Sequence, residues 1–150
     1  MIHLKASQAR LIEKLAEAAY PSECCGLLIG RRLDDGSLAV DELRPCRNLL
    51  AEDRGDRFEI DPQDRFDAMR QARSLGREIV GHFHSHPDAE PEPSATDRQM
   101  IYEPELVWLI VAVQDGQAGG VKAFMPLADA GGFRPLALVI DGQDGQNPRP

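Results

Sequence analysis

The spacing of apolar residues near the start of the chain predicts a helix. Apolar positions recur every three or four residues from Leu11 to Ala19, the spacing of one helical face. Ser7 is expected to cap this helix, and Tyr20 and Pro21 are expected to close it. The helix should pack on the core through an inward face made of Leu11, Ile12, Leu15, Ala16 and Ala19.

Two apolar runs follow, one on each side of a turn-forming Asp-Asp-Gly at residues 34–36. The first run is CCGLLIG, from Cys24 to Gly30, and the second is SLAVDELRP, from Ser37 to Pro45. Runs of this kind around such a turn predict the two strands of a hairpin. Glu23 would then lie at the start of the first strand.

An Asp-Pro pair predicts a second helix. Asp61 can accept a hydrogen bond as the N-cap, Pro62 suits the first turn, and Gly76 suits the residue after the last turn. Three apolar residues at helical spacing mark the side expected to face the core. These residues are Phe66, Met69 and Ala72.

The rest of the chain is rich in predicted strands. They are REIVGHFH, the strongly apolar ELVWLIVAV from Glu105 to Val113, GGVKAFMPL and FRPLALVID, with turns around Gly119 and Gly131. The hairpin and the last two strands imply antiparallel pairing, so we predict an α/β fold with a mixed, largely antiparallel sheet flanked by helices. One domain is expected over residues 1–140, followed by a flexible polar tail over residues 141–150.

Composition narrows the classes of function. The chain has 150 residues, 42% of them hydrophobic, and a net charge of −8, which is enough for one core. It lacks the basic field that non-specific nucleic-acid or anionic-membrane binding requires. No apolar run could span a bilayer, and the first residues do not resemble a signal peptide, so we expect a cytoplasmic protein. The three cysteines form no CxxC pair, which fits a reducing compartment.

The stretch GHFHSHPDAEPEPSATD, residues 81–97, concentrates the candidate chemistry. Alternate strand residues share a face at a spacing of about 6.6 Å, so His82, His84 and His86 should point the same way. Pro87 should end the strand and leave the last two histidines at its mouth. Two histidines, one further protein ligand and a water make a catalytic zinc site. Spacing alone leaves four candidates for the further ligand: Asp88, Glu90, Glu92 and Asp97.

Ser94 and Asp97 have both a structural and a functional interpretation. The pattern S-x-x-D is a capping box, so SATDRQMIY could begin a short helix with Ser94 as its N-cap. A rigid first turn would also hold the carboxylate of Asp97 toward the histidine strand. The remaining acidic residues of DAEPEP are expected to form a solvated rim, because burying them without partners is costly.

Together these residues resemble a known signature. HSHP and SATD, with residues 87–93 between the last histidine and Ser94, resemble the H-x-H, seven residues, S-x-x-D pattern of JAMM (MPN+) metalloproteases. YPSECCGLLIG resembles the segment that carries the upstream glutamate of this family, and RFEIDP resembles a stretch of its stand-alone bacterial members. The likeness extends from Leu11 to Val113. It implies a single-domain MPN/JAMM fold with a curved sheet, similar to the cytidine deaminase-like architecture.

The resemblance also implies a role for each site residue. It makes Glu23 the general base and Ser94 the hydroxyl that stabilises the oxyanion. His82 departs from the family, which often has a bulky aromatic residue there, and it remains open between a supporting contact and a competing ligand. One Zn²⁺ with water in its fourth position would be held by His84, His86 and Asp97.

Three functions follow as hypotheses. The resemblance implies a zinc-dependent peptidase or isopeptidase that acts near the C-terminus of a ubiquitin-like sulfur-carrier protein. The first alternative is a non-catalytic MPN-type module that binds such tails. The second is a cysteine hydrolase using Cys24 or Cys25, which is less favoured because these residues begin an apolar run in which no basic neighbour lowers the thiol pKa.

Overall fold

The computed structural model describes residues 1–51 and 57–142. The elements in chain order are β1 (Ile2–Lys5), α1 (Ala6–Ala19), β2 (Cys25–Arg32), β3 (Leu38–Cys46), α2 (Pro62–Ser74), β4 (Glu78–Pro87), α3 (Ala95–Gln99), β5 (Val107–Gln114), β6 (Gln117–Pro126), β7 (Phe133–Leu136) and β8 (Leu138–Asp141). The described strands form one sheet in the order β7-β6-β5-β4-β2-β3-β1-β8. None of the described helices is long and apolar enough to cross a membrane.

The predicted mixed, largely antiparallel sheet is confirmed. β4 lies near its middle, antiparallel to β2 and parallel to β5. The pairs β2–β3, β5–β6 and β6–β7 are antiparallel, whereas β1 runs parallel to both β3 and β8. The strand that carries the histidines is therefore held by a neighbour on each side.

The last predicted strand is two strands that lie at opposite edges of the sheet. Ala137 separates β7, which pairs with β6, from β8, which pairs with β1. One short segment can reach both edges only if the sheet curves back on itself. The curvature expected from the family resemblance thus follows directly from the strand order. Residues 143–150 of the predicted tail lie outside the described residues.

The predicted hairpin is also confirmed. β2 and β3 pair in antiparallel register, and Gly36 in their turn has a φ of 88°. This left-handed conformation is one that glycine adopts without steric cost. The predicted turn at Gly119 was wrong, because Gly119 lies inside β6 and the turn before that strand is formed by Asp115 and Gly116.

α1 begins earlier than predicted, because β1 runs directly into it. Its N-cap is Lys5, and the Lys5 backbone amide donates to Oε1 of Gln8 at 2.9 Å, so Ser7 is not the cap. Ile12 and Ala16 face the core as predicted, whereas Leu11 is 42% exposed. The apolar pattern located the helix but not the precise centre of its buried face.

The ends of α2 were predicted correctly, but of its predicted inward residues Phe66, Met69 and Ala72 only Ala72 is fully buried. Asp61 accepts from the amide of Gln63 at 2.9 Å, and Pro62 is the first helical residue. The helix packs on Leu27 and Ile29 of β2 through its small residues Ala68 and Ala72. Phe66 is exposed, and Met69 is half-buried. Small side chains let the helix lie close to the sheet, and this turns the aromatic ring of Phe66 toward solvent.

The sheet has a core on each face. The larger core is formed by α1 and the strands that it covers, including β1, and contains Ile12, Leu28 and Phe83. β5 is buried on both sides, as predicted for a central strand: Leu109 belongs to that core, whereas Trp108 belongs to a cluster on the opposite face. The histidine side chains share this second face with Trp108.

Candidate metal centre

β4 presents two of its histidines at its C-terminal end, as predicted. His84 and His86 are 0% and 5% exposed, and Pro87 is the last residue of the strand. The following residue is also anchored, because the amide of Asp88 donates to the carbonyl of Val113 at 2.6 Å. The two imidazoles are therefore mounted on a paired and rigid segment.

α3 fixes the third side chain through the predicted capping box. The amide of Asp97 donates to Oγ of Ser94 at 3.0 Å, and Oδ2 of Asp97 accepts from the amide of Ser94 at 2.9 Å. The reciprocal bonds set the direction of the carboxylate. The same oxygen, Oδ2, also faces the two imidazoles of β4.

The three donor atoms form a compact triangle. The Nε2 atoms of His84 and His86 are 3.1 Å apart, and Oδ2 of Asp97 lies 3.0 Å from His86 Nε2 and 3.4 Å from His84 Nε2. Tetrahedral zinc, with bonds of about 2.0–2.1 Å, places its ligand atoms about 3.3 Å apart. The spacing therefore fits one metal ion, and among the described residues these three side chains form the group whose donor atoms could hold it.

The chemistry of the donors also favours a cation. Nδ1 of His86 donates to the carbonyl of Glu90 at 2.7 Å, so in the neutral ring Nε2 carries the lone pair. That lone pair faces the carboxylate of Asp97 and the Nε2 atom of His84. A metal ion between these atoms would accept the lone pairs of both imidazoles and of the carboxylate at once.

The pKa shifts reflect this arrangement. Burial favours the neutral forms, and it lowers the pKa of His84 below its usual value. Burial would also lower the pKa of His86, but hydrogen bonds to Asp97 and to the Glu90 carbonyl outweigh it and raise that pKa. Burial would raise the pKa of Asp97, yet the hydrogen bonds from both histidines hold it well below its usual range.

Aromatic rings pack against the imidazole of His84. The ring of Phe58 stacks on it with centroids 4.5 Å apart and planes at 21°, and Trp108 meets it edge-on at 5.4 Å. This apolar packing keeps water from the ring and restricts its rotation. The sequence pattern did not single out Phe58, although its segment RFEIDP carried part of the family resemblance.

His82 lies outside the three-donor group. Its ring packs against Trp108 at 4.4 Å and lies 5.7 Å from Phe58. Burial lowers the pKa of His82 to about 3, so the side chain is neutral near pH 7. It thus occupies an aromatic position, as the bulky residue of the family would.

Glu23 is brought to this site from a distant part of the sequence. It is 5% exposed and lies between α1 and β2. Its carbonyl accepts from Nδ2 of Asn48 at 3.0 Å, and the next amide, of Cys24, donates at 2.8 Å to Oγ of Ser85, between the two metal-facing histidines. Glu23 lines a cavity of about 340 Å³ together with Pro21, His86, Pro87, Asp88, Ala89 and Ser94.

A second cavity reaches the cluster at the carboxylate of Asp97. Its volume is about 400 Å³, and its walls combine apolar and charged side chains. The lining residues are Leu50, Arg57, Phe58, Glu59, Thr96, Asp97, Met100 and Tyr102. An extended substrate could therefore meet the cluster from two cavities.

The acidic loop between the histidines and α3 forms the expected rim. Asp88, Glu90 and Glu92 are exposed and do not join the donor group, so the carboxylate in that group belongs to Asp97. Asp88 has a further contact that the sequence did not suggest. Its carboxylate accepts from the hydroxyl of Tyr20 at 2.5 Å and from the amide of Asp115 at 3.0 Å. These bonds tie the rim to the end of α1 and to the β5–β6 turn.

The cysteines offer a poor nucleophile. Cys24, Cys25 and Cys46 are free thiols. Burial is the largest cause that raises the pKa of each of them, and most strongly that of Cys25. Because the thiolate is the reactive form, these surroundings work against a cysteine hydrolase.

Relatives with similar sequences include two enzymes that match this chain over most of its length. The chain is 39% identical to the desampylase of Haloferax volcanii over 121 residues, which cover 81% of this chain and 80% of that protein. It is 25% identical to the CysO-cysteine peptidase of Mycobacterium bovis, over 83% of this chain and 82% of that protein. Both matches extend over most of the described domain.

A solved structure and a family model match as well. The solution structure of DSY2949 from Desulfitobacterium hafniense superposes with a TM-score of 0.81 at 30% identity, covering 95% of this chain and 94% of that one. The model for prokaryotic homologues of the JAB domain matches residues 5–126, from β1 to the last residue of β6. That span includes Glu23, both metal-facing histidines and the capping box. The chain belongs to the family of prokaryotic JAB-domain homologues.

Proposed function

We propose that this protein is a zinc-dependent peptidase or isopeptidase that hydrolyses an amide bond near the C-terminus of a ubiquitin-like sulfur-carrier protein. The observation that carries this proposal is the triangle of donor atoms at 3.0–3.4 Å, next to a cavity that Glu23 and Ser94 also line. A metal-binding group, a buried carboxylate and a hydroxyl are the three parts that metal-assisted amide hydrolysis needs.

Each part has a role. His84, His86 and Asp97 would hold the ion through Nε2, Nε2 and Oδ2. A bound zinc ion would lower the pKa of a coordinated water to about 7 and polarise the substrate carbonyl. The Glu90 carbonyl keeps the proton of His86 on Nδ1, which leaves Nε2 free to coordinate.

Glu23 would act as the general base. Its carboxylate takes a proton from the attacking water and returns it to the leaving amine, so that the amine departs neutral. A buried position suits this role, because it keeps bulk water away from the proton that is transferred.

Ser94 would stabilise the oxyanion. In the capping box its oxygen accepts from the amide of Asp97, which uses a lone pair and leaves the hydroxyl hydrogen able to donate. Since the cap also fixes the position of the oxygen, the donor would be preorganised for the charge that develops in the transition state.

The relatives support the substrate class. The relatives include a desampylase and a CysO-cysteine peptidase, and the second name is that of a peptidase. We extend this to a ubiquitin-like tail for the present chain. The two cavities that meet at the donor group would accept the chain on either side of the cleaved bond.

Intact-mass analysis tests the proposal. Candidate carrier proteins that end in Gly-Gly, extended by a peptide or an amino acid, are incubated with zinc-loaded protein. We expect the mass of the extension to be lost, the loss to stop after chelation and to return with zinc. Glu23→Gln should bind about one equivalent of zinc, as the three-ligand site requires, and leave the substrate intact.

Three other results would decide against it. A protein that takes up no zinc but retains the carrier tail would be a binding module. Hydrolysis that survives chelation and stops on alkylation of Cys24 and Cys25 would indicate a cysteine hydrolase. Full hydrolysis by Glu23→Gln would remove the general-base assignment.

A further inference from the structure

We propose that Asn48 is a positioning residue that holds Glu23 in place for proton transfer. This inference rests on the proposed function, because it assigns a support to the proposed base. Asn48 lies two residues after the end of β3, far from Glu23 in sequence, and is 9% exposed. The sequence pattern had given it no role.

The side-chain amide of Asn48 uses its full hydrogen-bonding capacity. Nδ2 donates to the carbonyls of Glu23 and Arg57, each at 3.0 Å. Oδ1 accepts from the amides of Leu50 at 2.9 Å and Glu59 at 3.0 Å. Two donated and two accepted bonds to the backbone of separate segments define one orientation of the amide.

The bond to Glu23 matters because this residue has no regular secondary structure to hold it. Residues 21–24 lie between the end of α1 and the start of β2, outside both elements. The following amide is held by Ser85, so the peptide after Glu23 is anchored by Asn48 at its carbonyl and by Ser85 at its N–H. Loss of either anchor would free the peptide on which the side chain depends.

The same amide holds the segment that packs on His84. Its bonds to Arg57 and Glu59 flank Phe58, whose ring stacks on the imidazole. Asn48 thereby joins the backbone of the proposed base to the packing of a proposed metal ligand. The separation of base and metal-bound water would depend on this connection, and proton transfer is sensitive to small changes in such a distance.

Gln8 provides a matched control. It is also an amide of 9% exposure that bridges two backbone segments, since Oε1 accepts from the amide of Lys5 and Nε2 donates to the carbonyl of Val40 at 3.3 Å. It joins α1 to β3, and both of these hydrogen bonds are made to residues outside the metal centre. Gln8→Ala therefore reports what the loss of a buried bridging amide does to stability alone.

The test is a double-mutant cycle. Asn48→Ala and Asn48→Asp are each measured alone and combined with Glu23→Gln, and Gln8→Ala is measured as the control. The Asn48→Asp variant keeps the accepting oxygen and loses both donated bonds. We expect each Asn48 variant to lower kcat about 10–100-fold, as supporting residues of metal sites do, with KM and bound zinc unchanged. When Asn48 is substituted in the Glu23→Gln protein, the residual single-turnover rate should change by no more than about twofold. This is the error within which the effects of independent mutations usually add.

Several outcomes would overturn the inference. They are an unchanged kcat, a loss of rate that persists in Glu23→Gln, a loss that added zinc restores, and an equal loss in Gln8→Ala. Failure of both Asn48 variants to fold would assign the side chain to stability and would also overturn it. By contrast, full activity in Glu23→Gln alone would mark a failure of the proposed function itself.

Discussion

Different kinds of structure position the three donor side chains and the proposed base at one site. His84 and His86 lie two residues apart on a paired strand, and Asp97 follows 11 residues after His86 in a capping box. Glu23 lies outside the regular elements and is held by side-chain bonds from Asn48 and Ser85. The geometry of the candidate ligands is thus set by local secondary structure, whereas the position of the proposed base is set by tertiary contacts. Variants can separate the two.

The largest effect is expected from removing a ligand. Asp97→Ala should lose both bound zinc and hydrolysis, because two histidines alone leave the site one protein ligand short of the usual three. Metal content after dialysis, measured by elemental analysis, checks this. His82→Ala is the control on the same strand and should keep about one equivalent. Loss of zinc in His82→Ala would show that the ligand set has been assigned wrongly.

Ser94→Ala is expected to have the next largest effect, since the residue has two roles. Loss of the oxyanion donor should lower kcat about 10²–10³-fold. Loss of the cap should lower the free energy of unfolding by about 0.5–2 kcal/mol. Steady-state kinetics and denaturant melts measure the two separately. Ser94→Thr keeps the hydroxyl and should recover most of both, and a rate unchanged in Ser94→Ala would exclude the oxyanion role.

Ser85→Ala should show how much the base depends on its second anchor. Without Oγ the partly buried amide of Cys24 loses its partner, which should lower the free energy of unfolding by about 0.5–1.5 kcal/mol, the net contribution of one hydrogen bond. We expect kcat to fall less than in Ser94→Ala, with zinc retained. Ser37→Ala removes a buried serine hydroxyl from the β2–β3 turn and should leave kcat unchanged. Loss of zinc in Ser85→Ala would show that this contact holds the ligands instead.

The smallest effect is expected at the rim. The hydrogen bond from Tyr20, followed by the amide of Asp115, holds the pKa of Asp88 below its usual value. A depressed carboxyl pKa stabilises the fold above the pKa of the unfolded state, and this contribution is lost as the pH falls through the lower folded value. Tyr20→Phe should raise the pKa of Asp88 toward normal, as followed by NMR titration, and leave zinc binding unchanged. An unchanged titration would exclude the contact in solution.

Several features that depend on neighbouring residues were predictable from the sequence, although the cap at Ser7 and the turn at Gly119 were predicted wrongly. The capping box of Ser94 and Asp97, the cap at Asp61 and the turn at Gly36 each follow from a few adjacent side chains. The shared face of the histidines follows from strand periodicity. The family resemblance supplied Glu23, which spacing alone could not have connected to the histidines.

Features that depend on distant partners were not predictable in this way. The exposure of Phe66 depends on how closely α2 approaches β2, and its periodicity fits either of two overlapping faces. β1 is short, and its partners lie in β3 and β8. Asn48 and Phe58 acquire their roles only when separate segments come together. Local patterns thus located the candidate ligands better than they located the residues that hold the proposed base.

Ala137, which separates β7 from β8, lies in the segment that must be synthesised before both edges of the sheet can pair. Ile2 pairs with Leu138, and its amide donates to the carbonyl of Ala137, so β1 leaves the ribosome well before its partner β8. Contacts this far apart in sequence slow folding. Until β7 and β8 arrive, the open edges of β6 and β1 can pair with other chains. We therefore expect a nascent chain to be most exposed to aggregation just before β7 and β8 emerge.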